Sequence, residues 1–134
     1  MKVVIDTNVL MAGLISDSTI RKLLVSGKAE FYLPEFALEE VEKYKEDLKE
    51  KSGCSEEEFQ KLKELLLEGV ITVPKELTKK RMKEAIKIME NVDKKDSVFI
   101  ACALAISADG ILSFDKDFLK QKMVRCFGVK EFID

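Results

Sequence analysis

The chain begins with a run of β-branched apolar residues, Val3-Val4-Ile5, that stops abruptly at Asp6-Thr7-Asn8. An apolar run without polar alternation reads as a strand buried on both faces, the kind found in parallel sheets covered by helices. Residues 29–33, 70–73, 110–113 and 124–127 read as four more short strands. Between them the apolar period lengthens to that of a helix. One helix follows Asp6, and a long one runs from Pro34, well suited to a first helical turn, to about residue 51. Gly53 ends it, Ser55 and Glu58 have the spacing of a capping box, and the helix they open stops at Gly69. Met82, Ala85, Ile86 and Met89 mark a helix over residues 78–90, Asp96 or Ser97 opens a strongly apolar helix through Ile106, and residues 118–122 fit one helical turn. Strands alternating with helices imply right-handed crossovers. The expected fold is therefore α/β, a three-layer αβα sandwich around a parallel sheet of about five strands.

Ligands of such sheets bind beyond the carboxyl ends of the strands. Asp6 ends the first strand and Asp115 closely follows the fourth, so both belong to that edge. Helices run opposite to the strands, which brings Asp96 to the same edge. In the long helix, Ala37, Val41, Tyr44 and Leu48 form an apolar stripe with Glu40 on its border and Glu39 nearly opposite. Glu40 is thus expected to lean inward and Glu39 to face solvent. Four carboxylates, Asp6, Glu40, Asp96 and Asp115, converge in this reading, with Asp93 and Asp117 nearby. Like charges at about 4 Å repel by about 4 kcal/mol at an effective dielectric near 20, so such a cluster holds protons or binds a cation. An all-oxygen donor set favours Mg2+ or Mn2+, whose bound water can attack a phosphodiester. Taken singly, Asp6 and Asp96 also suit helix N-caps, and Asp115 and Asp117 suit a turn.

Composition narrows the chemistry. The sequence contains no histidine, which excludes Ser-His-Asp and Cys-His nucleophiles and imidazole-ligated zinc. At 134 residues and 46% hydrophobic content, one domain with a real core is expected. No secretory leader or spanning segment is evident, which predicts a cytoplasmic protein. The three cysteines, Cys54, Cys102 and Cys126, are widely spaced; core packing is the expected role of the last two. The 36% of charged residues, rich in Lys and Glu, resembles the profile of a heat-adapted protein. A net charge of −2 gives no global nucleic-acid signature, so any steering of a polyanion must be local. Lys94, Lys95 and Lys116 flank the acids and are the preferred candidates, ahead of Lys79, Lys80, Arg81, Lys120 and Lys122. Phe36 and Phe118 could stack a base, with core or dimer packing favoured for both.

Three stretches, VVIDTNVLMAG, LPEFALEEVEKY and DKKDSVFIACALAISADGILSFDKDF, follow one another in the order seen in PIN-domain nucleases, and the chain resembles that family over most of its length. The resemblance implies that Asp6, Glu40, Asp96 and Asp115 are the catalytic acids. It also implies that Asp6, Asp96 and Asp115 hold one or two Mg2+ or Mn2+ ions, with Asp117 as an additional ligand. Thr7, Asn8, Ser113 and Asp93 would play supporting parts, Asn8 as a brace of the site and Ser113 in a hydroxyl position more often filled by threonine. The activity implied is metal-dependent cleavage of single-stranded RNA, commonly by the toxin of a toxin–antitoxin pair and commonly by a homodimer. Two alternatives come from other classes. One is a non-catalytic binding module of the same fold, and the other a haloacid-dehalogenase-like phosphatase, which wants an acid where this chain has Asn8.

Overall fold

Val3, Val4 and Ile5 are fully buried and form the middle strand of the sheet, as a doubly covered run must. The computed structural model describes residues 1–90 and 93–133, and of Lys94 the backbone only. Strands β1 (Lys2–Ile5), β2 (Glu30–Pro34), β3 (Val70–Val73), β4 (Gly110–Leu112) and β5 (Cys126–Phe127) form an all-parallel sheet in the order β3-β2-β1-β4-β5. In register, Val4 lies between Tyr32 and Ile111.

The helices divide by crossover direction. α1 (Thr7–Ile15), α2 (Ser18–Leu24), α3 (Glu35–Lys43), α4 (Lys45–Ser52) and α5 (Glu56–Glu68) connect β1 to β2 to β3, moving one way across the sheet. α6 (Lys75–Lys79), α7 (Met82–Ile88) and α8 (Ser97–Ala105) return from β3 to β4, past β1. Right-handed crossovers of opposite direction cover opposite faces, giving three layers. α8 packs on β1, β2 and β4 beneath α6 and α7, whereas α1 is the hub for α2 to α5. Both inner helices are apolar nearly all round, as their central places require. Among the described residues, no helix is long and apolar enough to cross a membrane.

The capping box forms as its spacing requires: Glu58 N donates to Ser55 Oγ at 3.2 Å, and Ser55 N donates to Glu58 Oε1 at 3.0 Å. Gly53 ends α4 with φ of 73°, where a side chain would be strained. A Cβ on Gly110 would lie 2.5 Å from the Phe127 ring and 2.6 Å from the Arg125 carbonyl, so only glycine lets β5 close against β4.

Four boundaries differ from the sequence pattern. The long helix expected to about residue 51 breaks at Tyr44 (φ −100°, ψ 12°), and both halves pack on α1, α4 by way of its buried Leu48. The helix expected over residues 78–90 is two helices, because Arg81 leaves the path and donates from Nη1 to the Leu104 carbonyl in the last turn of α8, at 3.1 Å. The fifth strand is shorter than residues 124–127. The buried Gln121 side chain takes both the N–H (2.9 Å) and the C=O (2.7 Å) of Val124, withdrawing them from the ladder. The pattern also gave no element at α2, whose N-cap Asp17 accepts from Ile20 N at 3.0 Å.

Candidate active site

The strand order reverses direction between β1 and β4, and both chains leave the sheet there into polar residues. Asp6 N still donates to Leu112 O at 3.0 Å, so the first residue after β1 stays pinned to β4. The side chains close the same gap: Ser113 Oγ donates to Asp6 Oδ2 at 2.8 Å and accepts from Asp115 N at 2.9 Å. Asp115 Oδ1 in turn accepts from Asp117 N at 2.8 Å, which sets the 3₁₀ turn Lys116–Lys120. That local turn brings Asp117 back toward the sheet edge.

On the other face, the 3₁₀ turn Lys94–Asp96 delivers Asp96 to the start of α8, and Asp93 Oδ1 shapes its approach by accepting from Lys95 N at 2.9 Å. Asp96 makes no side-chain cap bond to the helix, so its carboxylate is not consumed by capping. Carboxylate oxygens of Asp96, Asp115 and Asp117 all lie within 4.8 Å of one another, close enough for the three to share one ion. Asp117, expected from the sequence as an additional ligand, is brought to this grouping by the Asp115–Asp117 turn. Asp6 adjoins the group from a deeper position, at 3% exposure.

The charges are felt. Burial raises the pKa of Asp6, against the Ser113 hydroxyl and the N–H groups of Asn8 and Thr7, which pull it down without reaching the geometry of a cap bond. Burial first, and then the negative charges of Asp6, Asp115, Asp93 and Asp117, push Asp96 up to about 7.

Asp6, Asp96 and Asp115 line an open cleft of about 680 Å³ together with Thr7, Asn8 and Glu40. Glu40 is half-buried and accepts from Thr7 Oγ1 at 2.8 Å. Glu39 points away and pairs with Lys75. Thr7, itself 4% exposed, thus braces an acid; Asn8 is exposed along the cleft, and no side-chain bond of it to an acid is seen among the described residues. Lys95 reaches the cleft, Lys116 is exposed outside it, and the Lys94 side chain lies outside the described residues. Arg81 is committed to Leu104 and Glu84, and Lys120 to Asp117. Phe118 is fully buried against Phe99 and is a core residue, not a stacking platform. Cys102 is buried with its thiol raised to about 12 by that burial, and Cys126 is half-buried, so packing suits both.

A parallel sheet whose switch point gathers aspartates from β1, β4 and the start of α8 has a counterpart among known families: the PIN domain model matches residues 4–126. The chain belongs to the PIN-domain family. Curated proteins give no match. A PIN domain is a nuclease-type fold, and family members often depend on divalent metal, which accords with the acidic grouping. The sequence also left a feature of this PIN domain unread. Tyr44, placed by its spacing in the apolar stripe of the long helix, is 45% exposed along the cleft, where Phe36 joins it.

Proposed function

We propose that this PIN domain is a divalent-metal-dependent endoribonuclease that hydrolyses phosphodiester bonds in single-stranded RNA. The observation that carries the reading is the grouping of Asp96, Asp115 and Asp117 beside an open cleft that Asp6, Asp96 and Asp115 line, in a chain without histidine. The donor set fits a hard cation: all donors are carboxylate oxygens, and burial and repulsion make their shared negative charge costly without one. Asp96, Asp115 and Asp117 would hold Mg2+ or Mn2+, with Asp6 adjoining. When bound, the ion supplies charge neutralisation at the phosphate and a water acidic enough to attack it.

The protein's own part is positional and electrostatic. Ser113 fixes the rotamer of Asp6 and the path of the Asp115 turn at once. Glu40, oriented by Thr7, accepts a proton from the attacking water. Lys95 offers a cation to a neighbouring phosphate. An aspartyl-phosphate mechanism fits poorly, because Asp6 is buried with a raised pKa and Asn8, two residues on, cannot exchange a proton.

The family likeness supports three further proposals: a toxin role, an antitoxin protein as partner, and a homodimer in the cytoplasm. The deciding experiment incubates purified protein with assorted single-stranded RNAs, with and without Mn2+, beside calorimetric titration with Mn2+ alone. Cleavage that needs Mn2+ and is lost in Asp96→Asn is expected. Absence of both cleavage and a heat of Mn2+ binding would overturn the reading and leave a non-catalytic binding domain.

A further inference from the structure

Of the eight Phe and two Tyr in the chain, six Phe rings lie in the core, Tyr32 is half-buried, and Phe114 is exposed on the loop after β4 without lining the cleft; the other two exposed rings, Phe36 and Tyr44, stand along the candidate active site. A single exposed ring needs no explanation. These two are related by position: Phe36, Glu40 and Tyr44 are successive fourth residues, so they lie along one helical face. At 1.5 Å per residue the backbone positions of Phe36 and Tyr44 lie about 6 Å from that of Glu40 along the axis, on opposite sides of it, and about 12 Å from each other.

The surroundings suit a base. Phe36 also walls a second hollow with Met82 and Val98, so its ring stands as a ridge between two open spaces. The Lys43 ammonium lies over the Tyr44 ring, 5.4 Å from its centroid, where it can meet a phosphate next to a stacked base. Lys51, on α4 beyond the break and paired with Asp47, lines the cleft as well. Bases stacked in a strand are spaced by about 3.4 Å, so rings carried at positions about 12 Å apart along the helix do not match neighbours that remain stacked on each other. They can serve two bases splayed to either side of a phosphate held near Glu40, which a duplex does not offer.

We infer that Phe36 and Tyr44 are stacking platforms for the bases flanking the phosphate to be cut, and that they make the site selective for unpaired RNA. The inference rests on the proposed ribonuclease reading and names residues that position its substrate. Base stacking on a protein ring carries about 1 to 3 kcal/mol by alanine substitution, or about fivefold to a hundredfold in affinity.

The test uses the full chain carrying Asp6→Asn to suppress cleavage, in Mn2+, with a fluorescein-labelled single-stranded RNA read by anisotropy. Phe36→Ala and Tyr44→Ala are each expected to weaken binding by about fivefold or more at unchanged melting temperature, while Tyr44→Phe stays within about twofold of its parent. An RNA with abasic sites flanking the central phosphate is expected to bind all variants alike. The chain has no Trp and two Tyr, so RNA is also expected to quench tyrosine emission, and Tyr44→Phe to remove most of that quenching. Wild-type affinity in both alanine variants, or stronger binding to duplex than to single strands, overturns the inference while leaving the ribonuclease reading intact. No RNA binding by the parent, together with no cleavage by the native protein, overturns both and points to a protein partner as the cover for the two rings.

Discussion

Ser113 donates its hydroxyl to Asp6 across the gap between β1 and β4, at 2.8 Å, and the same oxygen accepts the backbone N–H of Asp115 at 2.9 Å. One short side chain therefore sets the orientation of a buried carboxylate and the start of the turn that carries two more. A hydroxyl can do both because it donates once and accepts through its lone pairs.

Ser113→Ala removes both bonds and leaves the Asp6 carboxylate buried with less to offset its desolvation. The expected loss of stability is about 1 to 3 kcal/mol, and Ser113→Thr, which keeps the hydroxyl, should lie near the parent. Burial raises the folded pKa of Asp6 above its ordinary value of 3.8. Its favourable contribution is complete below the unfolded pKa and is lost as pH rises through the folded one. The penalty of Ser113→Ala should accordingly be smallest in acid and grow as Asp6 ionises. Urea midpoints measured across that range check it; a penalty independent of pH would mean the bond to Asp6 is energetically silent.

Asp96 makes the strongest pH prediction for metal-free protein. Its folded pKa stands at about 7 against 3.8, through burial first and neighbouring carboxylates second. With EDTA present, stability should decline as pH rises from about 4 through about 7, and Asp96→Asn should flatten that decline. Adding Mn2+ should restore the melting temperature of the native chain and not of the variant, since a ligand of the folded state stabilises by mass action. Equal Mn2+ shifts in both proteins would remove Asp96 from the ion's environment.

The Thr7 hydroxyl is directed at Glu40. Thr7→Val is nearly isosteric but withdraws the donor at 2.8 Å, so Glu40 should lose its fixed orientation. Loss of such a supporting bond typically lowers activity by about tenfold to a hundredfold. The fall should appear in kcat with little change in KM, and Thr7→Ser should recover it.

How much of this was legible in the sequence differs residue by residue. The uninterrupted Val3–Ile5 run revealed a covered parallel strand, and the rule that ligands meet strand carboxyl ends pointed to the edge where Asp6, Asp96, Asp115 and Glu40 line one cleft. The Ser55–Glu58 box was legible because capping is a contact between near neighbours. The kink at Tyr44 was not. It carries neither Pro nor Gly, and the two halves it separates both pack on α1, a tertiary relationship that no local pattern encodes. The same kink separates Tyr44, expected in the buried stripe, from Leu48, which is buried. The Gln121 clamp on Val124 was likewise hidden, since an isolated Gln gives no sign that it will replace a strand ladder. Asp117, expected as an additional ligand, is positioned by a hydrogen bond from its own N–H to Asp115, a contact between near neighbours.

Ser97 offers the simplest test of local energetics. It follows Asp96 at the first position of α8, is fully buried, and its hydroxyl finds no hydrogen-bond partner among the described residues. Burying an unpaired hydroxyl costs about 1 to 3 kcal/mol, whereas alanine fits the same space and favours the helix. Ser97→Ala should therefore hold or raise stability, by up to about 1 kcal/mol or a few degrees in Tm. Calorimetric melting of the two proteins checks it. A clear drop in Tm would show instead that the hydroxyl is satisfied in solution by an ordered water beside the acidic cleft.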